Sequence, residues 1–293
     1  MKVKKVVVPI AGLGTRLLPA TKAIPKEMLP LVNKPIIQYI VEEISKAGFE
    51  ELIFITHSSK YSVENHFDTS FELESTLKNR VKRSLLNELK AISSLSINIS
   101  SIRQGEAKGL GHAINCAKNI TNNEPFAVVL PDMLLREKKL GFNLALMKKA
   151  FEKNNRTSIL VAETSKKELS NYGVVEVKRN NLQKELFEVL KIVEKPSAKK
   201  IKSNLFAVGR YIFNDSIFSY ISKVKPDKTG EIQLTDAIKL HLKEKDSVDA
   251  FKLDGTFHDC GDKIGYLKAI VEYALFDKSI GKDFKTFLKK YEK

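Results

Sequence analysis

Residues 3–30 constrain the fold more than any other stretch. Residues 3–10 are rich in β-branched side chains (Val3, Val6, Val7, Val8 and Ile10) and read as a strand covered on both faces, as in a parallel sheet. The chain then runs Ala11-Gly12-Leu13-Gly14-Thr15-Arg16 and continues to Pro30, with prolines at 19, 25 and 30 and lysines at 22 and 26. Pro35 stands where a helix can start, Ile36, Ile37, Ile40, Val41 and Ile44 recur at helical spacing, and Gly48 is a natural stop. Residues 52–56 form a second strand. A strand–loop–helix–strand order of this kind joins parallel strands through a right-handed crossover.

The alternation continues. By pattern, residues 60–93 are mostly helical, 97–102 a strand, 109–120 a helix, 126–130 a buried strand ending at Pro131-Asp132, and 140–153 a helix. Beyond residue 157 strands crowd together at 158–163, 173–177, 188–193 and 206–213. Helices follow at 215–222 and 233–245, then a strand at 248–253 and a last helix at 263–276. The expected fold is α/β: a Rossmann-like, doubly wound, mostly parallel but mixed sheet. Residues 1–156 make a nucleotide-binding part with a helical insertion at about 65–93. Residues 157–293 complete the same sheet, hold a second substrate and end in helices. The basic stretch 282–293 reads as a short helix or a fraying tail.

The glycine loop admits several phosphate-binding readings, and two can be tested. A dinucleotide fingerprint would need glycine at position 17, which is Leu17, and an acidic residue at the end of the second strand, which closes on Thr56-His57. A Walker A loop would need Gly-Lys-Ser/Thr, whereas Gly14 is followed by Thr15-Arg16. Both fail. What remains is a long loop stiffened by proline that presents Arg16 and Lys26, two cations suited to a polyphosphate.

Bulk properties leave room for this. With 293 residues and 43% hydrophobic content the chain can bury a sizeable core, and a 29% charged fraction without low-complexity tracts argues against disorder. The net charge of +15 fits a nucleic-acid face, a basic membrane-surface helix, a potential that gathers polyphosphates, or a lysine-rich solvated surface. Scattered pairs such as Lys148-Lys149, Lys166-Lys167 and Lys199-Lys200 favour the last. No nucleic-acid motif is visible, and no uncharged run approaches the ~18 residues of a membrane span, so neither partner is expected. Cys116 and Cys260 lie far apart outside any C-x-x-C pair, as expected of buried, inert thiols in a reducing cytoplasm.

The run G-L-G-T-R-L-L-P-A-T-K-A-I-P-K-E-M-L-P resembles the signature of the sugar nucleotidyltransferase family, in particular its bacterial UTP–glucose-1-phosphate uridylyltransferase branch. Further matching segments are N-H-F-D-T-S-F-E-L-E from Asn65, R-Q-G-E-A-K-G-L-G-H-A from Arg103, L-P-D-M-L from Leu130 and N-Y-G-V-V from Asn171. V-E-K-P from Val193, V-G-R-Y from Val208, T-G-E-I-Q-L-T-D-A from Thr229 and H-D-C-G-D-K-I-G-Y-L-K-A from His258 complete the set. The segment 65–92 is typical of the uridylyltransferases and absent from the thymidylyltransferases. Residues around Lys139-Leu140 and 178–188 carry no family motif.

The resemblance implies that UTP and glucose 1-phosphate give UDP-glucose and pyrophosphate, with Mg²⁺ held by Asp132 and Asp259. Asp132 also ends a buried strand, where doubly wound folds place ligands. Arg16 and Lys26 would hold the β- and γ-phosphates and Lys195 the sugar phosphate. Ala11, Gly12, Leu13, Gly14, Thr15, Glu27, Gln104 and Gly109 would contact the nucleotide; Gly173, Glu194 and Val208 would line the sugar. Residues 157–293 then become a sugar-phosphate-binding part. For His112, behind the loop, a structural role or one supporting the site residues is expected. The family also implies a homo-oligomer, dimer or tetramer. Two alternatives share the loop: a glucose-1-phosphate thymidylyltransferase, separated by room for one methyl group worth only ~1–3 kcal/mol, and a non-catalytic nucleotide-sugar-binding protein, which would lack a cation or metal carboxylate present here.

Overall fold

A computed structural model describes residues 1–179, 186–197, 199, 201–244 and 247–291. Parts of the sequence reading at Lys200, Lys245, 180–185 and 292–293 lie outside the described residues.

The strands, in chain order, are β1 (Lys5–Pro9), β2 (Pro30–Leu31), β3 (Lys34–Pro35), β4 (Glu51–Thr56), β5 (Asn98–Arg103), β6 (Phe126–Val129) and β7 (Met133–Arg136). They continue with β8 (Ser158–Glu163), β9 (Gly173–Arg179), β10 (Leu186–Glu194), β11 (Leu205–Phe213), β12 (Asp249–Lys252) and β13 (Thr256–Asp259). Nine of them form one sheet in the order β5-β4-β1-β6-β11-β8-β12-β10-β9. β1 runs parallel to β4 (Val6↔Leu52) and to β6 (Val6↔Ala127), and β4 is parallel to β5, as the β-branched runs and crossovers require. From β11 onward antiparallel neighbours dominate: β11 pairs so with β6 and β8, and β10 with β12 and β9. β9 also touches β11 at Phe206↔Val174, so these five strands curl back on themselves.

Side chains alternate across the sheet. Val6, Val8, Leu52, Phe54, Ala127 and Val129 pack on one face with Ile36, Ile37, Ile40, Val41 and Ile44 of helix Ile36–Lys46. Val7, Ile53, Ile55, Phe126 and Val128 pack on the other with Ala113 and Ile114 of helix Gly109–Cys116, and with helices Ile217–Ile221 and Leu234–Lys243. Fully burying each of the valine, leucine, isoleucine and phenylalanine side chains among them is worth about 1.5–3 kcal/mol. The helix at 109–120 is interrupted after Cys116 and resumes at Lys118–Thr121. The insertion divides into helices Tyr61–Phe67, Phe71–Asn79 and Arg83–Ser93, and the latter two bury no residue.

One element was not legible beforehand. β7 pairs antiparallel with β13, with Met133 opposite Asp259, in a ribbon outside the main sheet. A buried ion pair fixes the wall beside it. Arg210 on β11 donates from Nε and Nη2 to Glu43 at 3.0 and 2.6 Å, and from Nη1 to the Leu130 carbonyl at 3.4 Å. Both partners are buried, and the two-pronged geometry ties helix Ile36–Lys46 to the strand end before Pro131-Asp132.

Candidate active site

The carboxyl ends of β1, β5 and β6 open into a cavity of about 590 Å³. Open α/β sheets bind ligands at such strand ends. Ala11, Gly12, Leu13, Gly14, Thr15, Arg16, Lys26, Gln104, Gly109, Asp132, Gly173, Glu194, Lys195 and Asp259 all line it. Residues that sequence reasoning spread along the chain thus surround one space.

The glycine loop is built rather than loose. Three 3₁₀ turns fill it, at Thr15–Leu17, Ala20–Lys22 and Lys26–Met28. Gly14 has φ +69°, and a Cβ there would meet Lys26 and Thr21 side-chain atoms at 3.3 Å. Its carbonyl accepts from Thr21 Oγ1 at 2.7 Å and from the Leu17 amide at 3.0 Å. Glycine is the residue that takes this backbone at no steric cost.

Lys26 Nζ donates to Asp132 Oδ2 at 2.5 Å. Burial pushes the Asp132 carboxyl up, but the charge and hydrogen bond of Lys26, with Arg16 adding, hold it below its ordinary value. Burial works against the Lys26 ammonium too, yet Asp132, Glu27 and Asp259 raise its pKa. The β7–β13 ribbon brings Asp259 to Asp132, and the Cys260 amide donates to the Asp132 carbonyl at 2.7 Å. Burial and the Asp132 charge raise the Asp259 pKa, against hydrogen bonds from the Gly261 amide (2.8 Å) and the Tyr172 hydroxyl (3.0 Å).

These carboxylates fit a divalent cation. A Cβ on Gly261 would lie 2.9 Å from Asp259 Oδ1 and 3.1 Å from Asp132 Oδ2, so both oxygens approach one spot that only glycine leaves open. The donors are hard oxygens, as Mg²⁺ prefers, and two carboxylates leave places for substrate phosphate and water. Among the described residues no cluster of three or more His, Cys, Asp or Glu could hold a metal by itself.

Glu194, the last residue of β10, and Lys195 after it line another part of the cavity. Lys195 adopts φ +39°, a strained left-handed conformation that non-glycine residues keep mostly at functional sites. Its amide donates to the Tyr172 carbonyl at 3.0 Å, which holds that turn. The Glu194 carboxyl is raised by burial, opposed by the charge of Lys195. Gly173 allows this approach: a Cβ there would stand 3.0 Å from Thr235 and 3.3 Å from Glu194.

Two expected contacts fall outside the lining. Glu27 turns away from the cavity and is 1% exposed, its carboxylate accepting from the equally buried Lys60 at 2.8 Å. The turn at Lys26–Met28 sends successive side chains in different directions, so Lys26 faces the site and Glu27 the core. Val208 is fully buried in the core on the face opposite Ala207 and Tyr211, which do line the cavity. The expectation of buried cysteines holds for Cys260, whereas Cys116 is half-buried, and both are free. Tyr172, Tyr211, Glu231, Gln233 and Thr235 line the site without having been assigned a role. All five lie inside segments that match the family.

The sequence pattern of the nucleotidyl transferase family matches residues 5–275. The chain belongs to that family. The resemblance read from its motifs is borne out. A UTP–glucose-1-phosphate uridylyltransferase from Haemophilus ducreyi is 48% identical over 293 residues, covering 99% of both chains. Another from Escherichia coli K12 is 49% identical over 291 residues, covering 98% of this chain and 95% of the relative. Among nucleotidyl transferases of known structure, the UTP-bound UGPase of Acinetobacter baumannii superposes with a TM-score of 0.91 at 40% identity, covering 99% of this chain and 100% of that one. A putative glucose-1-phosphate thymidylyltransferase from Bacillus anthracis shares the fold, with a TM-score of 0.69 at 21% identity.

Proposed function

We propose that this chain transfers a uridylyl group from UTP to α-D-glucose 1-phosphate, releasing pyrophosphate and forming UDP-glucose. The observation that carries this reading is the gathering of Arg16, Lys26, Asp132, Lys195 and Asp259 around one cavity, in a chain 48% identical end to end to a uridylyltransferase.

The sugar phosphate attacks the α-phosphorus in line while pyrophosphate departs opposite. Its second pKa is near 6, so the nucleophile is already largely ionised at neutral pH and needs no general base. The protein's work is alignment and neutralisation of charge. Lys195 grips the sugar phosphate, Glu194 accepts hydrogen bonds from sugar hydroxyls, and Arg16 with Lys26 holds the polyphosphate that leaves. Ala11 and Gly12 give the nucleotide close backbone contact. Asp132 and Asp259 would hold Mg²⁺, which when bound neutralises phosphate charge. Lys26 pairs with Asp132 in the meantime, so a cation and a carboxylate that both serve phosphate chemistry stay mutually satisfied.

The Rossmann-like, doubly wound layout fits this reading, with residues 1–156 serving the nucleotide and 157–293 the sugar phosphate. A cytoplasmic homo-oligomer is part of the same proposal. Among the described residues no helix is long and apolar enough to cross a membrane.

The test is pyrophosphate release by purified protein with a panel of nucleoside triphosphates and sugar 1-phosphates. UTP with glucose 1-phosphate should be the best pair, and EDTA should stop turnover until Mg²⁺ is restored. Absence of turnover with every pair would overturn the reading. A preference for dTTP would move the chain to the thymidylyl class.

A further inference from the structure

Helix Gly109–Cys116 carries a histidine that the proposed chemistry does not use. His112 is half-buried beside Gln104, whose side chain lines the cavity and is 4% exposed. The Gln104 amide nitrogen lies 2.8 Å from His112 Nδ1 and 3.4 Å from the Gly109 carbonyl oxygen.

These partners settle which way the amide points. A carboxamide can present either its NH₂ donors or its oxygen acceptor to a neighbour. The Gly109 carbonyl can only accept, so the nitrogen belongs on that side. His112 Nδ1 must then accept as well, which places the imidazole proton on Nε2. With its nitrogen occupied, the amide has its oxygen Oε1 left for the cavity.

The backbone that holds this arrangement has no slack. Gly109 has φ +86°, and a Cβ there would lie 2.8 Å from Glu231 Cβ and 2.9 Å from the Ile232 carbonyl oxygen. The Ile232 amide donates to the Lys108 carbonyl at 2.8 Å, and the Gly111 amide donates to the Ile232 carbonyl at 2.8 Å. The Gly109 carbonyl and His112 are therefore fixed relative to each other by a clamp from a distant segment. The Gln104 backbone N–H donates to the Thr56 carbonyl at 2.8 Å, anchoring the residue from the other side.

We propose that His112 is a positioning residue that locks the Gln104 carboxamide with its oxygen toward the base, so that the site admits a pyrimidine presenting a ring N–H and rejects one presenting a bare ring nitrogen. Uracil presents N3–H at its Watson–Crick edge; cytosine presents an N3 lone pair there. The inference rests on the reading that Gln104 faces the base. A group held in one orientation discriminates strongly, because the wrong partner leaves a buried polar atom unpaired.

The experiment measures kcat/KM for UTP and CTP, with glucose 1-phosphate and Mg²⁺, in the wild-type protein and in His112→Phe, His112→Leu and His112→Gln. The readout is the UTP/CTP ratio within one preparation, from which the folded fraction cancels. Phenylalanine and leucine offer no acceptor, so the ratio should fall by about tenfold, the scale of one hydrogen bond. Glutamine can offer a side-chain carbonyl, so the ratio should recover most of its wild-type value. A ratio unchanged in the phenylalanine and leucine variants would overturn the inference, whatever the loss in overall rate. No turnover of UTP by the wild-type protein would instead overturn the uridylyl reading on which it rests.

Discussion

The loop at residues 11–30 and the helices at 61–93 both leave the sheet from the carboxyl ends of neighbouring parallel strands, β1 and β4, yet they are built in opposite ways. The loop has almost no regular structure beyond 3₁₀ turns but is tied down at Gly14, Lys26 and Glu27. The insertion is regular helix, but Phe71–Asn79 and Arg83–Ser93 bury nothing and leave Phe71, Leu73 and Leu85 exposed. Regularity and rigidity are separate properties. Geometry at the site comes from pinned irregular backbone, and Lys60, just before helix Tyr61–Phe67, ties that loop to the insertion through Glu27.

This contrast can be broken at its strongest point first. Glu27→Ala leaves the Lys60 ammonium buried without its partner, and removing one member of such a pair is expected to destabilise by about 3–5 kcal/mol. Urea denaturation followed by circular dichroism would measure it. A loss under 1 kcal/mol would mean that the loop is held by something else. Next in size, Asp132→Ala should lower kcat about a hundredfold or more, ~3 kcal/mol of transition-state stabilisation, while the protein still folds. Retained turnover would show that the metal carboxylate is elsewhere. The smallest effect belongs to the insertion. Phe71→Ser, at a side chain 82% exposed, should change stability by no more than ~0.5 kcal/mol. A larger loss that depends on protein concentration would show that this helix is covered by a second copy of the chain.

Local pattern carried much of the fold. The strand at Ser158–Glu163 and the helix at Lys263–Phe276 begin and end where hydrophobic spacing places them. The β7–β13 ribbon was hidden because its strands stand more than a hundred residues apart and each is only four residues long. Pairing at that distance leaves no periodic trace in either segment. Its consequence for the site is large, because it brings Asp259 to Asp132. Val208 shows the opposite case. Strand alternation alone puts it on the face away from Ala207, and the family motif overrode that simpler signal. Glu27, expected at the nucleotide, lies outside the cavity lining, and no periodicity rule places side chains in a single 3₁₀ turn. Lys195 was found by motif, while the left-handed backbone that presents it is a tertiary effect that its residue type does not announce.

The seam between β6 and β11 has a mechanical meaning. Arg210↔Val129, Tyr211↔Val128, Ile212↔Ala127 and Phe213↔Phe126 are paired through the backbone in the middle of the sheet. Two jaws swinging about this line would have to tear that ladder on every cycle. The floor of the cavity therefore behaves as one stiff plate. Any motion that admits reactants or frees products is confined to the rim, where loops can bend while the plate stays flat.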